Sequence, residues 1–175
     1  MQHKPFEVIA DYLTRNGIAV FRYDDRGWGT QDMELVNGTT LDFADDAEAA
    51  FQLLKSHKKL DPKRIGFAGH SEGGLIALVA AKRSDKVVAV VTLAGVGESI
   101  DATLRRQLGT QPEPYRSECM RIIDELKAGR KVSDPMPELA ALFRPSVQPF
   151  WISPTRYEPS NEARTLSQPL LVVQG

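Results

Sequence analysis

The 175 residues carry 22 Lys and Arg against 23 Asp and Glu, with 42% hydrophobic and 26% charged residues, the balance of a soluble globular domain with a sizeable core. A formal net charge of −1 provides no basic field to gather phosphates, and no zinc-finger or RNA-binding pattern occurs, so nucleic acid is not an expected partner. No apolar run approaches the roughly 18 residues of a membrane helix, Met1–Glu7 lacks the apolar centre of a signal peptide, and the single Cys119 forms no internal disulfide; the chain reads as cytoplasmic, without a membrane partner.

Pro5 stands at a plausible first helical position, Phe6, Ile9 and Leu13 follow at helical spacing, and Gly17 supplies a stop, which predicts an amphipathic helix. Ile18 to Tyr23 reads as a short strand, and Asp24-Asp-Arg-Gly-Trp-Gly-Thr30 opens a glycine-containing loop that runs to about Thr40. Thr39 and Asp42 are spaced as a capping box for a second helix, whose apolar face is Phe43, Ala47, Ala50, Phe51 and Leu54 and whose exit is Asp61-Pro62.

Arg64 to Ala68 reads as a strand, a glycine turn follows, and Leu75 to Arg83 continues as a helix with basic residues at its negative end. Val87 to Leu93 is continuously apolar, as suits a strand of a parallel sheet covered by helices on both faces. Alternating strands and helices give an α/β fold. From about Glu98 to Ser167 the pattern changes: nine of the eleven prolines lie between Pro112 and Pro169, and short helical segments replace the alternation. This predicts a helical insertion at 98–167, dividing a core of 1–97 and 168–175. Pro169 to Gly175 looks like the next buried strand.

Gly69-His70-Ser71-Glu72-Gly73 matches G-x-S-x-G, the nucleophile elbow, and lies between a predicted strand and a predicted helix as that motif requires. The glycines permit the sharp turn, while Gly73 and Gly74 are expected to let the helix pack close to neighbouring backbone. Ser71 stands at a helix N-terminus, where partial positive charge favours an oxyanion. Leu75 stands where a phosphate-binding loop needs its lysine, and the glycine spacing does not fit a dinucleotide fingerprint. A serine in an ordinary tight turn is the plain alternative.

These residues resemble the α/β-hydrolase superfamily. "YDDRGWGTQ" is similar to its D-x-R-G-x-G loop, and "HKPFEVIADYLTRNGIAVFRYDDRGWG" with "GHSEGG" looks most like bacterial serine esterases and peptidase-like hydrolases. The resemblance implies a partial α/β-hydrolase fold with a helical cap at 98–167. It implies that Ser71 attacks an ester or other acyl carbonyl of a small-molecule substrate through an acyl-enzyme, with no cofactor and no metal, and that the Glu72 backbone N–H is one oxyanion donor. A second donor is expected from a loop that would precede Met1. His70, Trp28 and Trp151 are candidate substrate-binding residues, and Phe150 and Tyr157 candidate pocket or cap-core residues. Side-chain packing is the plainer role for His70, as is a turn stabilised by Arg26 with Asp24 or Asp25.

The resemblance further implies a triad in the order serine, acid, histidine, yet only His3, His57 and His70 are present and none follows Ser71. His57 reads as a solvated surface residue, and His3 lies near the expected oxyanion loop. The acid is expected just after Leu170–Gln174, with Asp101 as an alternative that more simply begins a helix. The expectation is an internal piece of a longer hydrolase, nearly inactive alone. The alternatives are a peptidase or thioesterase of the same fold, or a noncatalytic binding protein that kept the fold.

Overall fold

The computed structural model describes residues 4–29 and 38–174. His3 and residues 30–37 of the loop expected up to Thr40 lie outside the described residues. Helix α1 spans Pro5–Arg15 and α2 spans Thr40–Lys55; strand β1 is Phe67–His70, followed after Ser71 by α3, Glu72–Lys82, and by β2, Val90–Leu93. The region between β2 and β3 is helical: α4 is Ile100–Leu108, α5 Tyr115–Lys127, α6 Ala140–Phe143, α7 Gln148–Ile152 and α8 Pro159–Arg164, with three 3-10 turns between α5 and α8. Strand β3, Leu170–Val173, closes a parallel sheet of order β1-β2-β3. Its register sets Phe67 beside Val90 and Val90 beside Leu170.

Ile18–Tyr23 is not a strand in the structure. It runs without a ladder partner among the described residues, and Ile18, Val20, Phe21 and Tyr23 are exposed. The apolar, strand-forming residues are present, but a strand exists only where a neighbour completes its backbone hydrogen bonds. Helix α1 forms as expected, with Pro5 in its first turn, yet buries none of its residues. Strand β1 is displaced toward the C-terminus relative to the predicted Arg64–Ala68, whereas β2 and β3 form within the predicted runs and are shorter than them. The β1–β2 pairing begins at Ile65, whose carbonyl accepts from the Val88 N–H, while helix α3 starts at Glu72, three residues earlier than the periodicity indicates.

Thr39 makes the capping box: its hydroxyl accepts from the Asp42 N–H at 3.3 Å, and the Asp42 carboxylate accepts the Thr39 N–H at 2.8 Å. This removes two orphan donors from the start of α2. The Thr39 hydroxyl and N–H hold the Asp42 carboxyl below its ordinary value, with Arg26 adding to the effect.

Helix α3 is the central element. It presents Ala77, Leu78 and Ala81 to a cluster with Phe51, Ile65, Val87 and Val90, and Leu75, Val79 and Ala80 to a second one with Ala44 and Ala47 of α2. A helix apolar nearly all round is a buried helix. Phe67, Val90 and Leu170 share the sheet face that meets this core, and the Phe51 and Phe67 rings meet edge to face at 6.1 Å. Each fully buried side chain of this kind stabilises the fold by about 1.5–3 kcal/mol relative to exposure. On the opposite face, Phe6 of α1 meets the His70 ring edge to face at 5.4 Å.

The region between β2 and β3 has its own core, in which Leu104, Cys119, Ile122, Ile123, Leu126, Val132 and Phe143 are buried. Gln148 sits inside it, fully buried and tied by three hydrogen bonds: Oε1 accepts from the Val132 N–H, and Nε2 donates to the carbonyls of Val132 and Phe143. Among the described residues no helix is long and apolar enough to cross a membrane.

Removing the cap hydroxyl should weaken α2 and everything packed on it. Thr39→Ala is expected to lower stability by about 1 kcal/mol in urea unfolding, and Thr39→Ser to retain most of it.

Candidate active site

The turn between β1 and α3 is set by backbone geometry. Ser71 has φ 54° and ψ −121°, one of two non-glycine residues with positive φ among those described, a conformation that costs of order 1–3 kcal/mol unless its surroundings impose it. Two features do so. The Ser71 N–H donates to the Leu93 carbonyl at 3.0 Å, fixing the end of β1 to the end of β2, and the Ser71 carbonyl accepts from the Gly74 N–H at 3.0 Å inside the first turn of α3. The chain doubles back so tightly that a Cβ on Gly69 would fall on the Gly73 carbonyl.

Gly74 also approaches other backbone closely, its Cβ position lying 3.4 Å from Gly95 Cα and from Thr92. Gly73 differs from expectation: a Cβ there would meet open space, so close helix packing rests on Gly74 alone. Ser71 is exposed and its side chain makes no capping hydrogen bond to α3, so its hydroxyl is not engaged by the helix it precedes. The Glu72 N–H lies in the first turn of α3, where helical N–H groups lack intrahelical acceptors.

Ser71 and Glu72 form the polar floor of a cavity of about 170 Å³, with Leu75, Val96, Ile100, Phe150, Trp151, Pro154 and Pro159 as its apolar wall. The wall comes chiefly from the region between β2 and β3. Trp151 donates its indole N–H to the Leu142 carbonyl at 2.8 Å, and its ring meets that of Phe150 edge to face at 4.9 Å. Ser153, next to Pro154, accepts the Thr40 N–H at 3.0 Å and ties this wall to the start of α2.

The Glu72 carboxyl is the unusual group. Its Oε1 is shielded from solvent and has no hydrogen-bond partner among the described residues, and burial, aided by the negative charge of Asp25, pushes its pKa up to about 7. The carboxyl is therefore half neutral near neutral pH, in contrast to an ordinary solvated glutamate.

The residues singled out in the sequence fall in different places. Ser71, Glu72, Phe150 and Trp151 come together around the cavity. Trp28 is 78% exposed and is not among the cavity residues, and His70 faces Phe6 across the sheet, since alternate strand residues point to opposite faces. Tyr157 packs against the core formed by α2 and α3. His57 lies in an exposed turn where Nδ1 accepts from the Lys59 N–H. Asp101 is in the first turn of α4, buried and ion-paired with Lys127 at 2.5 Å.

Arg26 pairs differently from expectation. Its guanidinium holds Asp46 through two bonds of 2.6 and 2.8 Å and reaches Asp42 at 3.1 Å, because Asp42 and Asp46 lie one turn apart on α2 and present their carboxylates together. It anchors the Arg26 turn to α2, a role for which Asp24 and Asp25 lie too near in the chain. Leu75, Val96, Ile100, Pro154 and Pro159 were not singled out by the sequence; the positions of Val96 and Ile100 just beyond the carboxyl end of a parallel strand are the available signal, since ligand crevices form there. Among the described residues no three His, Cys, Asp or Glu side chains gather as metal ligands would.

A strained serine between a parallel strand and a buried helix, beneath a helical region inserted before the next strand, defines an α/β-hydrolase fold. The sequence profile of the Hydrolase_4 family, described as serine aminopeptidase, S33, matches residues 3–139, and the chain belongs to that family. Among solved structures it superposes on an alpha/beta hydrolase, GrgF, from Penicillium sp. sh18 with a TM-score of 0.59 at 18% identity, covering 98% of this chain and 76% of that one. It also superposes on the hypothetical protein PA2218 from Pseudomonas aeruginosa with a TM-score of 0.54 at 15% identity, covering 97% and 71%.

Two sequence relatives are named polyketide transferases. ClaH of Penicillium crustosum is 38% identical over 88 residues, and ATR5 of Stachybotrys chlorohalonatus is 31% identical over 87 residues. The matches take in 47% and 49% of this chain but only 28% and 29% of those relatives.

The raised Glu72 pKa has a consequence for stability. The folded carboxyl keeps its proton up to about 7, whereas an unfolded glutamate releases it near 4.3. Between those values the folded state binds more protons, so stability falls as pH rises through the window and levels off above it. Glu72→Gln removes this loss. In urea unfolding its stability relative to wild type should improve by up to roughly 3 kcal/mol between about pH 4 and pH 8.

Proposed function

We propose that the chain forms the core of a serine hydrolase that cleaves carboxylic esters or related acyl bonds of small molecules in the cytoplasm, without a cofactor. The observation that carries this reading is the backbone of Ser71, held at positive φ by β2 and α3 with its side chain exposed on the floor of a cavity. Strain of this kind persists where the surroundings impose it, and it presents a hydroxyl free of the helix that follows.

In the proposed reaction Ser71 Oγ attacks the acyl carbonyl as a base takes its proton. The carbonyl oxygen gathers negative charge beside the Glu72 N–H, and the tetrahedral centre collapses with loss of the alcohol, which takes up the proton. Water then repeats the sequence on the acyl-enzyme, releasing the acid and restoring the serine. Neither His57 nor His70 is among the cavity residues, so the base is assigned to chain outside the described residues. The helices between β2 and β3 serve as a cap that supplies the apolar wall and excludes water from the acyl group.

A second reading changes only the acceptor. The names of the two sequence relatives favour delivery of the acyl group to a molecule other than water, through the same acyl-enzyme. The family description favours a peptide leaving group, and a noncatalytic binding protein is the reading that a silent serine would support.

Labelling of the full-length protein with a fluorophosphonate tests the nucleophile. Wild type should be labelled and Ser71→Ala not at all, with hydrolysis of short 4-nitrophenyl esters falling by roughly 10⁴- to 10⁶-fold. Equal labelling of the two proteins would remove Ser71 from the mechanism, and no labelling of either would favour the binding protein.

A further inference from the structure

Two non-glycine residues have positive φ among those described, Ser71 at 54° and Ala94 at 45°, and the proposed reaction accounts for the first of them. Alanine takes this region reluctantly because its Cβ crowds the backbone, whereas glycine and asparagine take it more readily. Ala94 is exposed, so burial of its methyl group does not account for an alanine at a position that suits glycine.

The neighbours of Ala94 show what its backbone does. The peptide group between Leu93 and Ala94 is held on both sides: its carbonyl accepts the Ser71 N–H at 3.0 Å, and its N–H donates to the Val173 carbonyl at 2.8 Å. From this clamped plane the chain turns at Ala94 and sets Gly95 against Thr92 and Gly74. A Cβ on Gly95 would lie 3.3 Å from the Thr92 Cβ, and one on Gly74 would lie 3.4 Å from the Gly95 Cα. Val96 follows directly, packs against the core of α2 and α3, and stands in the cavity wall with Ile100. The strand end that fixes the serine thus also fixes part of the wall of its cavity.

We infer that Ala94 is a positioning residue whose restricted left-handed backbone holds Val96 in place and so limits the cavity over Ser71 to short acyl groups. The inference rests on the proposed function of Ser71 for its substrate and adds the length of the acyl chain. The cavity of about 170 Å³ is below the roughly 300–1,000 Å³ of most ligand pockets. A glycine at position 94 would relieve the turn but open further torsions to it, whereas asparagine keeps a side chain and tolerates the left-handed region. The wall loosens in the first case and stays in the second.

The full-length protein, Ala94→Gly and Ala94→Asn are compared on 4-nitrophenyl butyrate and 4-nitrophenyl octanoate. Wild type should prefer butyrate in kcat/KM by roughly tenfold or more. Ala94→Gly should narrow that preference by roughly fivefold, chiefly through a lower KM for octanoate, and Ala94→Asn should keep it within about twofold of wild type. A ratio of two substrates on one preparation is indifferent to the fraction of active protein, so partial unfolding does not imitate the result.

Urea unfolding checks the strain itself. An ordinary exchange of alanine for glycine lowers the folding equilibrium constant by roughly two- to fivefold, whereas Ala94→Gly should match or exceed wild type. Calorimetric titration needs no turnover: N-methyloctanamide should bind Ala94→Gly more tightly than wild type by roughly fivefold, with N-methylbutyramide changed by less than about twofold. Tighter octanamide binding in proteins that no fluorophosphonate labels would sustain the role of Ala94 while rejecting Ser71 chemistry. The inference is overturned by a chain-length preference that Ala94→Gly leaves unchanged, or by Ala94→Asn behaving as Ala94→Gly does. It is equally overturned by a glycine variant that loses the ordinary stability or more, the mark of an alanine under no strain.

Discussion

Everything at this site depends on one backbone constraint: a serine forced into positive φ where a parallel strand ends and a buried helix begins. The hydrogen bond from Ser71 N–H to Leu93 O fixes the end of β1 against β2, so the turn cannot relax without opening the sheet. The helix that follows is the most deeply buried element of the core, with seven of its eleven residues buried. The strain is thus held by the same contacts that hold the domain together, as a conformation costing of order 1–3 kcal/mol must be. Gly69 makes the constraint possible by lacking the Cβ that would strike Gly73.

The second level of organisation is the wall over that turn. Its helices are short and broken by prolines, and by themselves such pieces have little intrinsic helical stability. They are fixed by packing on their own apolar core and by polar ties. Gln148 gathers three backbone groups in the interior of the region, Trp151 is held through its indole nitrogen, and Ser153 receives the Thr40 N–H from the start of α2. Capping of α2 by Thr39 and the Arg26 bridge to Asp42 and Asp46 therefore act on the cavity indirectly, by fixing the helix terminus on which Ser153 rests.

What the sequence reveals follows from the range of the interactions involved. The elbow, the capping box and helix α1 are legible because their determinants lie within a few residues of each other: Gly69 with Gly73, Thr39 with Asp42, Pro5 with its own turn. The segment Ile18–Tyr23 is misread because strand character is completed by a neighbour, and a run of apolar and β-branched residues says nothing about whether one is present. The partners of Arg26 are missed because they lie 16 and 20 residues away on α2, whereas Asp24 and Asp25 are adjacent in sequence. His70 and Trp151 show the same limit for the site. Strand alternation turns the first toward Phe6, while the second reaches the cavity only through packing of a region 80 residues further along the chain.

Glu72 joins these levels. Its backbone place is dictated locally, as the first residue of α3 after the elbow, but the state of its carboxyl is dictated by distant residues. At an exposed helix N-terminus a glutamate is ionised and stabilising; here burial, with the field of Asp25 adding to it, pushes Glu72 toward the neutral acid. The helix terminus and the burial therefore oppose each other on one side chain. Burial prevails because the dipole of a helix end is worth about 0.3–1 kcal/mol on a carboxylate, whereas a rise from an ordinary glutamate value to about 7 corresponds to roughly 3 kcal/mol in the other direction. The charge of Glu72 is therefore set by its burial rather than by the helix end it occupies, and a change in the packing around its carboxyl would alter that charge without touching the elbow.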